Sequence, residues 1–287
     1  MARFKFNRKT GGESAAYTVA FAVMLIFCAS YIFAFLWAIF AATKTHAQIV
    51  MEPFKWHDKW LFSNFIDVFK RLDVRGVKVA GMIGNSLWYT LGASALGILG
   101  PALMAYALTK FQFVGRKALI SVNFVVMILP IIGALPAQYR MFSRLGFVNS
   151  PLLLISSFGC FGGTLLILMS FFRNLSDEYR DAARIDGAGE YRILFTIMFP
   201  LAKAPIFALF VMNLVGVWND YMTPLLFLPR MPTLATGVYL FSADANARAE
   251  YEIMMAATVL TAIPPLILFL LFNKAMLTSL SIGGLKE

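Results

Sequence analysis

The chain has 287 residues, of which 60% are hydrophobic and only 14% charged, and it carries a formal net charge of +10. Soluble domains average about 25% charged residues, so a fold solvated by water on all sides is excluded and lipid is the expected solvent. The 25 Lys and Arg are scattered with no basic cluster or interleaved aromatic platform, which excludes a nucleic-acid partner; the two Cys and two His make no metal-ligand set.

A tail at 1–14 carries Arg3, Lys5, Arg8 and Lys9. Charge-free runs follow at 14–43, 79–109, 118–139, 145–172 and 253–273, each long enough for a helix of about 20 residues to cross a bilayer. A shorter run, 204–219, has Asp220 as the one charge before Arg230. The expected architecture is all-α and polytopic, with six spans at about 15–42, 81–108, 118–138, 151–172, 204–225 and 252–273. The first run is too long for the apolar core of a signal peptide, and no clear small-residue cleavage site follows it, so it reads as a retained helix. Cys28 and Cys160 fall inside spans and read as buried thiols.

With the N-terminus inside, 14 of the 25 Lys and Arg lie on the inner side. That bias is small but has the expected sign, and the basic tail supports it. Both termini, including the tail 274–287, are then expected in the cytoplasm. The outside segments are short, leaving no room for a second soluble domain. The longest, 43–78, brings Trp56, Trp60 and Phe62 to the membrane interface, where amphipathic aromatics collect.

Residues 173–203 form a polar loop between the fourth and fifth spans. Ser176 reads as an N-cap, with Asp177 and Glu178 in the first turn of a helix running to about Asp186. Gly187 supplies the left-handed residue that ends it. A second short helix, Glu190 to Met198, is expected to stop before Pro200. Tyr179, Ala182, Ala183 and Asp186 share one helical face, where the small alanines suit close approach by a partner. The pattern is Asp181-Ala182-Ala183, Gly187 six residues after the acid, Ile197 ten later and Pro200 three after that.

This pattern resembles the EAA loop of bacterial ABC-importer permeases, with Asp181 in place of the usual Glu and Phe199 in place of the usual Leu. The resemblance continues through Asn85-Ser86-Leu87, MAYALTKFQFVGRKAL, LPIIGALPAQYRMFSRLGFVNS, VWNDYMTPL and the tail PPLILFLLFNKAMLTSLSIGGLKE. It covers about 85–286 and is similar to the second, six-span permease of the maltose-type carbohydrate importers. It implies a type I ABC importer permease fold in the bacterial cytoplasmic membrane. It also implies half of a translocation pathway for a sugar or oligosaccharide. The implied partners are a second homologous permease, an ATPase dimer, an extracellular solute-binding protein and membrane lipid. Asp181, Ala182, Ala183, Asp186, Gly187, Ile197 and Pro200 would couple to the ATPase. The stretch from Thr278 to Glu287 resembles the family's tail, which reaches towards the ATPase. The sequence contains no G-x-x-x-x-G-K-[ST] phosphate loop. ATP and Mg are therefore expected on the partner ATPase, with no cofactor, catalytic residue or metal on this chain.

Polar side chains in spans face a partner or a cavity. Asn85, Asn123 and Asn213 most simply bond neighbouring helices. Asn123, Asn213, Trp218, Asn219 and Asp220 are the candidates for the substrate pathway, the last three because an indole beside an amide and a carboxylate suits a sugar. Pro130, Pro136, Pro205, Pro224, Pro264 and Pro265 interrupt or end spans, as hinges or as static kinks. An ion-driven secondary carrier would want inverted repeats and mid-membrane acids. No convincing repeat is visible, and Asp220 is the only acid near a span interior. The same machinery with a non-sugar cargo is the nearer alternative.

Overall fold

The computed structural model describes residues 11–56, 59–129, 133–248 and 250–281. The basic tail before Gly11, His57, Pro130 and the last six residues of the C-terminal tail lie outside the described residues. The chain forms two compact units, residues 1–68 with 245–260, and residues 69–244 with 261–287.

The first unit begins with α1 (Gly11–Ala42), in which residues 16–36 are all exposed. A helix apolar on every side and buried by nothing in its own chain is solvated by lipid or by another subunit. Cys28 lies on this exposed surface rather than being buried. At the end of α1, Lys44 is buried, and its Nζ donates to the Glu52 and Pro53 carbonyls at 2.7 and 3.0 Å. Helix α2 (His46–Met51) opens with a reciprocal cap between Thr45 and Gln48. Asn64, in α3 (Ser63–Arg71), returns to α1 by donating to the Ala42 and Lys44 carbonyls, both at 2.9 Å. Trp56, Trp60 and Phe62 are exposed, and the two tryptophans gather around Phe40 at ring separations of 5.5 and 5.9 Å.

The second unit opens with a hairpin of β1 (Asp73–Val74) and β2 (Val77–Lys78), turned by Arg75 and Gly76 at φ 57° and 81°. Apart from these two short strands the described chain is helical. Helix α4 (Val79–Lys110) is the axis of the unit and packs on α7 (Gly163–Asn174) and α11 (Lys203–Asn219). At Gly100 a β-carbon would stand 3.1 Å from the Gly159 carbonyl oxygen, so a larger residue would push that backbone back by a few tenths of an ångström. One end of α4 packs in a core with Leu168 and Phe172 of α7. The other end, through Tyr89 and Ala93, joins Phe142, Leu153 and Phe227.

The runs expected as third and fourth spans are each broken. The first splits into α5 (Arg116–Ile128) and α6 (Leu135–Arg144). Leu129, held extended at ψ 119° as a residue before proline prefers, ends α5, and Gly133 turns at φ 75°. The second becomes a 3-10 stretch, Pro151–Ser157, then α7 beyond Gly162 at φ 130°. Cys160, between them, is half-buried. Among the described residues, α1, α4 and α14 (Tyr251–Ser281) are long and apolar enough to cross a membrane singly. A bent pair, Glu190–Leu201 with Lys203–Asn219 at 76°, is a fourth only if the two helices count as one broken span. Helices α12 (Met222–Phe227) and α13 (Leu234–Arg248) complete the chain.

Candidate coupling site

After α7, Ser176 accepts from the Glu178 amide at 3.2 Å, and α8 (Glu178–Ile185) follows. Gly187 turns the chain at φ 79°, the left-handed value expected of it. The next helix, α9 (Glu190–Ile193), widens into a π turn, Leu194–Met198, and continues as α10 (Phe199–Leu201). The helix thus passes through Pro200 instead of stopping before it. Proline lacks the N–H that an α-helix would direct at the Thr196 carbonyl, and its ring would crowd that group. The π turn opens the helix there, with the Phe199 amide reaching five residues back to Leu194. The true break is at Ala202 (φ −88°, ψ 7°), where the chain bends into α11.

A polar network fastens the loop. Arg180 is buried, donates to the Lys110 carbonyl at 2.5 Å and to Glu190 Oε2 at 3.3 Å, and lies 4.4 Å from the Phe111 ring centre. Arg184 donates to Glu190 Oε1 at 2.8 Å, so one carboxylate joins both arginines across the Gly187 turn. Lys110 Nζ donates to the Leu175 carbonyl at 2.7 Å and to Asp177 Oδ1 at 2.6 Å. The Lys110 bond holds the Asp177 carboxyl below its ordinary range. Burial alone would raise Glu190, but the bonds from Arg184 and Arg180 outweigh it and hold that carboxyl low as well.

Of the seven expected coupling residues, Asp181, Ala182, Asp186, Gly187 and Pro200 are exposed and Ile197 is half-buried. Ala183 is buried in the same core as Tyr106, Phe172 and Ile193. It therefore does not share an outward face with Tyr179 and Ala182, because α8 turns that side onto its own chain. Asp181 makes a 3.8 Å ion pair with Arg184. The outward surface instead includes Ile185, 87% exposed, and Tyr191, 84% exposed. Sequence reading missed the network of Lys110, Arg180 and Glu190. Its one visible signal was Lys110, the cation that ends the long charge-free run of α4.

The pathway candidates divide. Asn123 is buried and accepts from the Gly162 amide at 2.6 Å, so it caps the start of α7 from a distance. Trp218 is buried, and its indole donates to the Thr261 carbonyl at 3.0 Å. Pro265, four residues on, removes the amide that would ordinarily satisfy that carbonyl. Asp220 accepts from the Thr223 amide at 3.0 Å, at the start of α12. Each of these three makes a bond that helps to hold the fold. Asn219 is exposed and donates to the Val215 carbonyl of its own helix. Asn213 is half-buried beside Gly97. Asn85 donates to the Pro232 carbonyl at 3.0 Å, and Ser86 accepts from the Leu234 amide at 2.7 Å, which together seat the start of α13.

The binding-protein-dependent transport system inner membrane component family matches residues 97–281. The chain belongs to this family. It is accordingly a transport permease subunit of a bacterial membrane. Among its relatives, it is 26% identical to the diacetylchitobiose uptake system permease NgcG of Streptomyces coelicolor over 269 residues, 92% of this chain and 87% of that one. It is 30% identical to the sn-glycerol-3-phosphate transport system permease UgpE of Pectobacterium atrosepticum over 195 residues, 67% of this chain and 69% of that one. A solved bacterial ABC transporter involved in import of the acidic polysaccharide alginate has a chain of the same fold, at TM-score 0.75 and 18% identity, covering 93% of this chain and 99% of that chain. The fold is the type I ABC importer permease fold.

Proposed function

We propose that this permease forms half of the translocation pathway of an ABC importer for a sugar or oligosaccharide. A second, homologous permease forms the other half, and an extracellular binding protein delivers the substrate. Two separate ATPase subunits supply the energy, and both termini of the permease face the cytoplasm. The observation that carries this reading is the loop after α7. It presents Ala182, Ile185 and Tyr191 outward while Arg180, Glu190 and Lys110 tie it to the end of α4. A knob that presents these side chains among exposed charges and is fastened from inside suits a groove on a partner that must push the membrane helices. Asp181, Asp186, Gly187, Ile197 and Pro200 shape or flank this knob.

The sugar cargo is supported by the diacetylchitobiose relative, and Asn213 and Asn219 keep polar atoms for it. The glycerol-3-phosphate relative supports a second reading, the same machinery with a phosphorylated non-sugar cargo. Uptake of labelled disaccharides and of glycerol phosphate into vesicles containing the whole assembled transporter separates the two. ATP-dependent uptake of neither, with the binding protein present, overturns the proposal.

A further inference from the structure

Two cavities share Ile120, one at the start of α5 and the other between α5 and the end of α7. The first, of about 660 Å³, is lined by Gln112, Phe113, Arg116 and Lys117 among others. The second, of about 290 Å³, is lined by Phe124, Leu166 and Met169 and by Ser170, Arg173 and Asn174. Along α7 the lining changes from apolar Leu166 to polar Asn174 as the helix nears the loop. Along α5 it changes the same way, from Phe124 back to Arg116. At 1.5 Å rise per residue each gradient spans about 10–12 Å, the depth from a lipid phosphate into the upper acyl region.

Arg116, Lys117 and Arg173 make no ion pair among the described residues, unlike Lys110, Arg180 and Arg184 close by. Arg116 and Lys117 line the first cavity and Arg173 the second, all at the ends of apolar helices, and an anion held between the two cavities offsets their like charge. A small soluble anion would leave the wall of Phe124, Leu166 and Met169 without an occupant. A phospholipid supplies both parts. We propose that this groove holds one anionic phospholipid of the leaflet on the loop's side. Its phosphate lies among Arg116, Lys117 and Arg173, within reach of the Ser170 hydroxyl and Asn174 amide. One acyl chain runs along Ile120, Phe124 and Leu166. Basic pockets between membrane helices select anionic headgroups in this way.

The test is native mass spectrometry of the full chain, with the subunits that copurify with it, in detergent. The probes are palmitoyl-oleoyl phosphatidylglycerol and the matching phosphatidylcholine. Phosphatidylglycerol should bind at least tenfold more tightly, and the combined variant R116Q/K117Q/R173Q should bring the two within about twofold. If that variant fails to fold, the wild-type ratio and the single variant K117Q, expected to lower the ratio several-fold, carry the test. Equal binding of the two lipids overturns the proposal. So does displacement of phosphatidylglycerol by about 10 mM inorganic phosphate, which would indicate a soluble-anion site. A crosslink from Ile120→Cys to a companion permease in the assembled transporter would overturn it too, by showing that protein fills the groove.

Discussion

Ala182 and Ala183 are neighbours with opposite surroundings, the first exposed and the second inside the core that α8 shares with α4 and α7. Tryptophan separates their roles. Ala183→Trp overfills the core and should cost about 1–3 kcal/mol, lowering the unfolding temperature in detergent. Ala182→Trp should leave that temperature within a degree or two and abolish substrate-stimulated ATP hydrolysis in reconstituted vesicles. Normal stimulation by Ala182→Trp would remove this surface from coupling. Gly187→Val forces a β-branched residue to φ 79°, at about 1–2 kcal/mol or more; the protein should still insert while transport is lost. Trp218→Phe removes the indole's donation to the Thr261 carbonyl, a loss of about 1 kcal/mol, readable as reduced thermal stability with little change in the affinity of the assembled transporter for its cargo. The motif made Gly187 legible in advance, because a turn of that handedness needs one residue type. The inward orientation of Ala183 was not legible, since spacing defines a helical face without saying which side of it meets the protein.

Among the elements, the coupling loop was read at nearly its observed boundaries, since a polar insert with caps and a glycine stop is a local signal. The interior of its second helix was misread. Proline was expected to end the helix, but a π turn upstream absorbs it. The runs 118–138 and 151–172 were read as single spans on apolar length alone. Leu129, Gly133 and Gly162 take backbone angles that a continuous helix does not allow, and the helices break there. The loop's network also predicts a pH response. Asp177 and Glu190 are held below their ordinary values, so their pairs stabilise the folded loop fully above those values, and the stabilisation is lost as pH falls through the lowered ones. Hydrogen-exchange protection of 178–193, corrected for intrinsic rate, should be flat from pH 8 to about 5 and fall below about 4. In Glu190→Gln it should already be low at neutral pH. Protection that rises on acidification would show that the network does not hold the loop.

For the molecule as a whole, composition alone identified the solvent, and the motif identified the family. Which polar residues bond the scaffold was not legible, because it depends on which backbone groups of neighbouring elements each side chain reaches. Helix α1, exposed along 16–36, and the loop's outward Ile185 and Tyr191 both call for contacts that this chain lacks. The chain alone should therefore transport nothing and aggregate readily. Co-expressed with a companion permease and an ATPase, it should copurify as one copy of each permease per two ATPase subunits. A homodimer active in uptake, seen by native mass spectrometry, would sink this assignment. Deleting the tail 281–287 should weaken ATPase coupling without lowering expression; unchanged uptake would mean the tail is a free end.

The π turn before Pro200 carries one residue more than an α-helix would use. It is an insertion kept in register by its surroundings. Removing any one residue of 194–198 would restore ordinary helical winding with α9 close to its present direction, but the ring of Pro200 would then crowd the carbonyl one turn before it. The length of this stretch is constrained as well as its buried side chains, Leu194 and Met198. A single-codon deletion here should be more damaging than most substitutions.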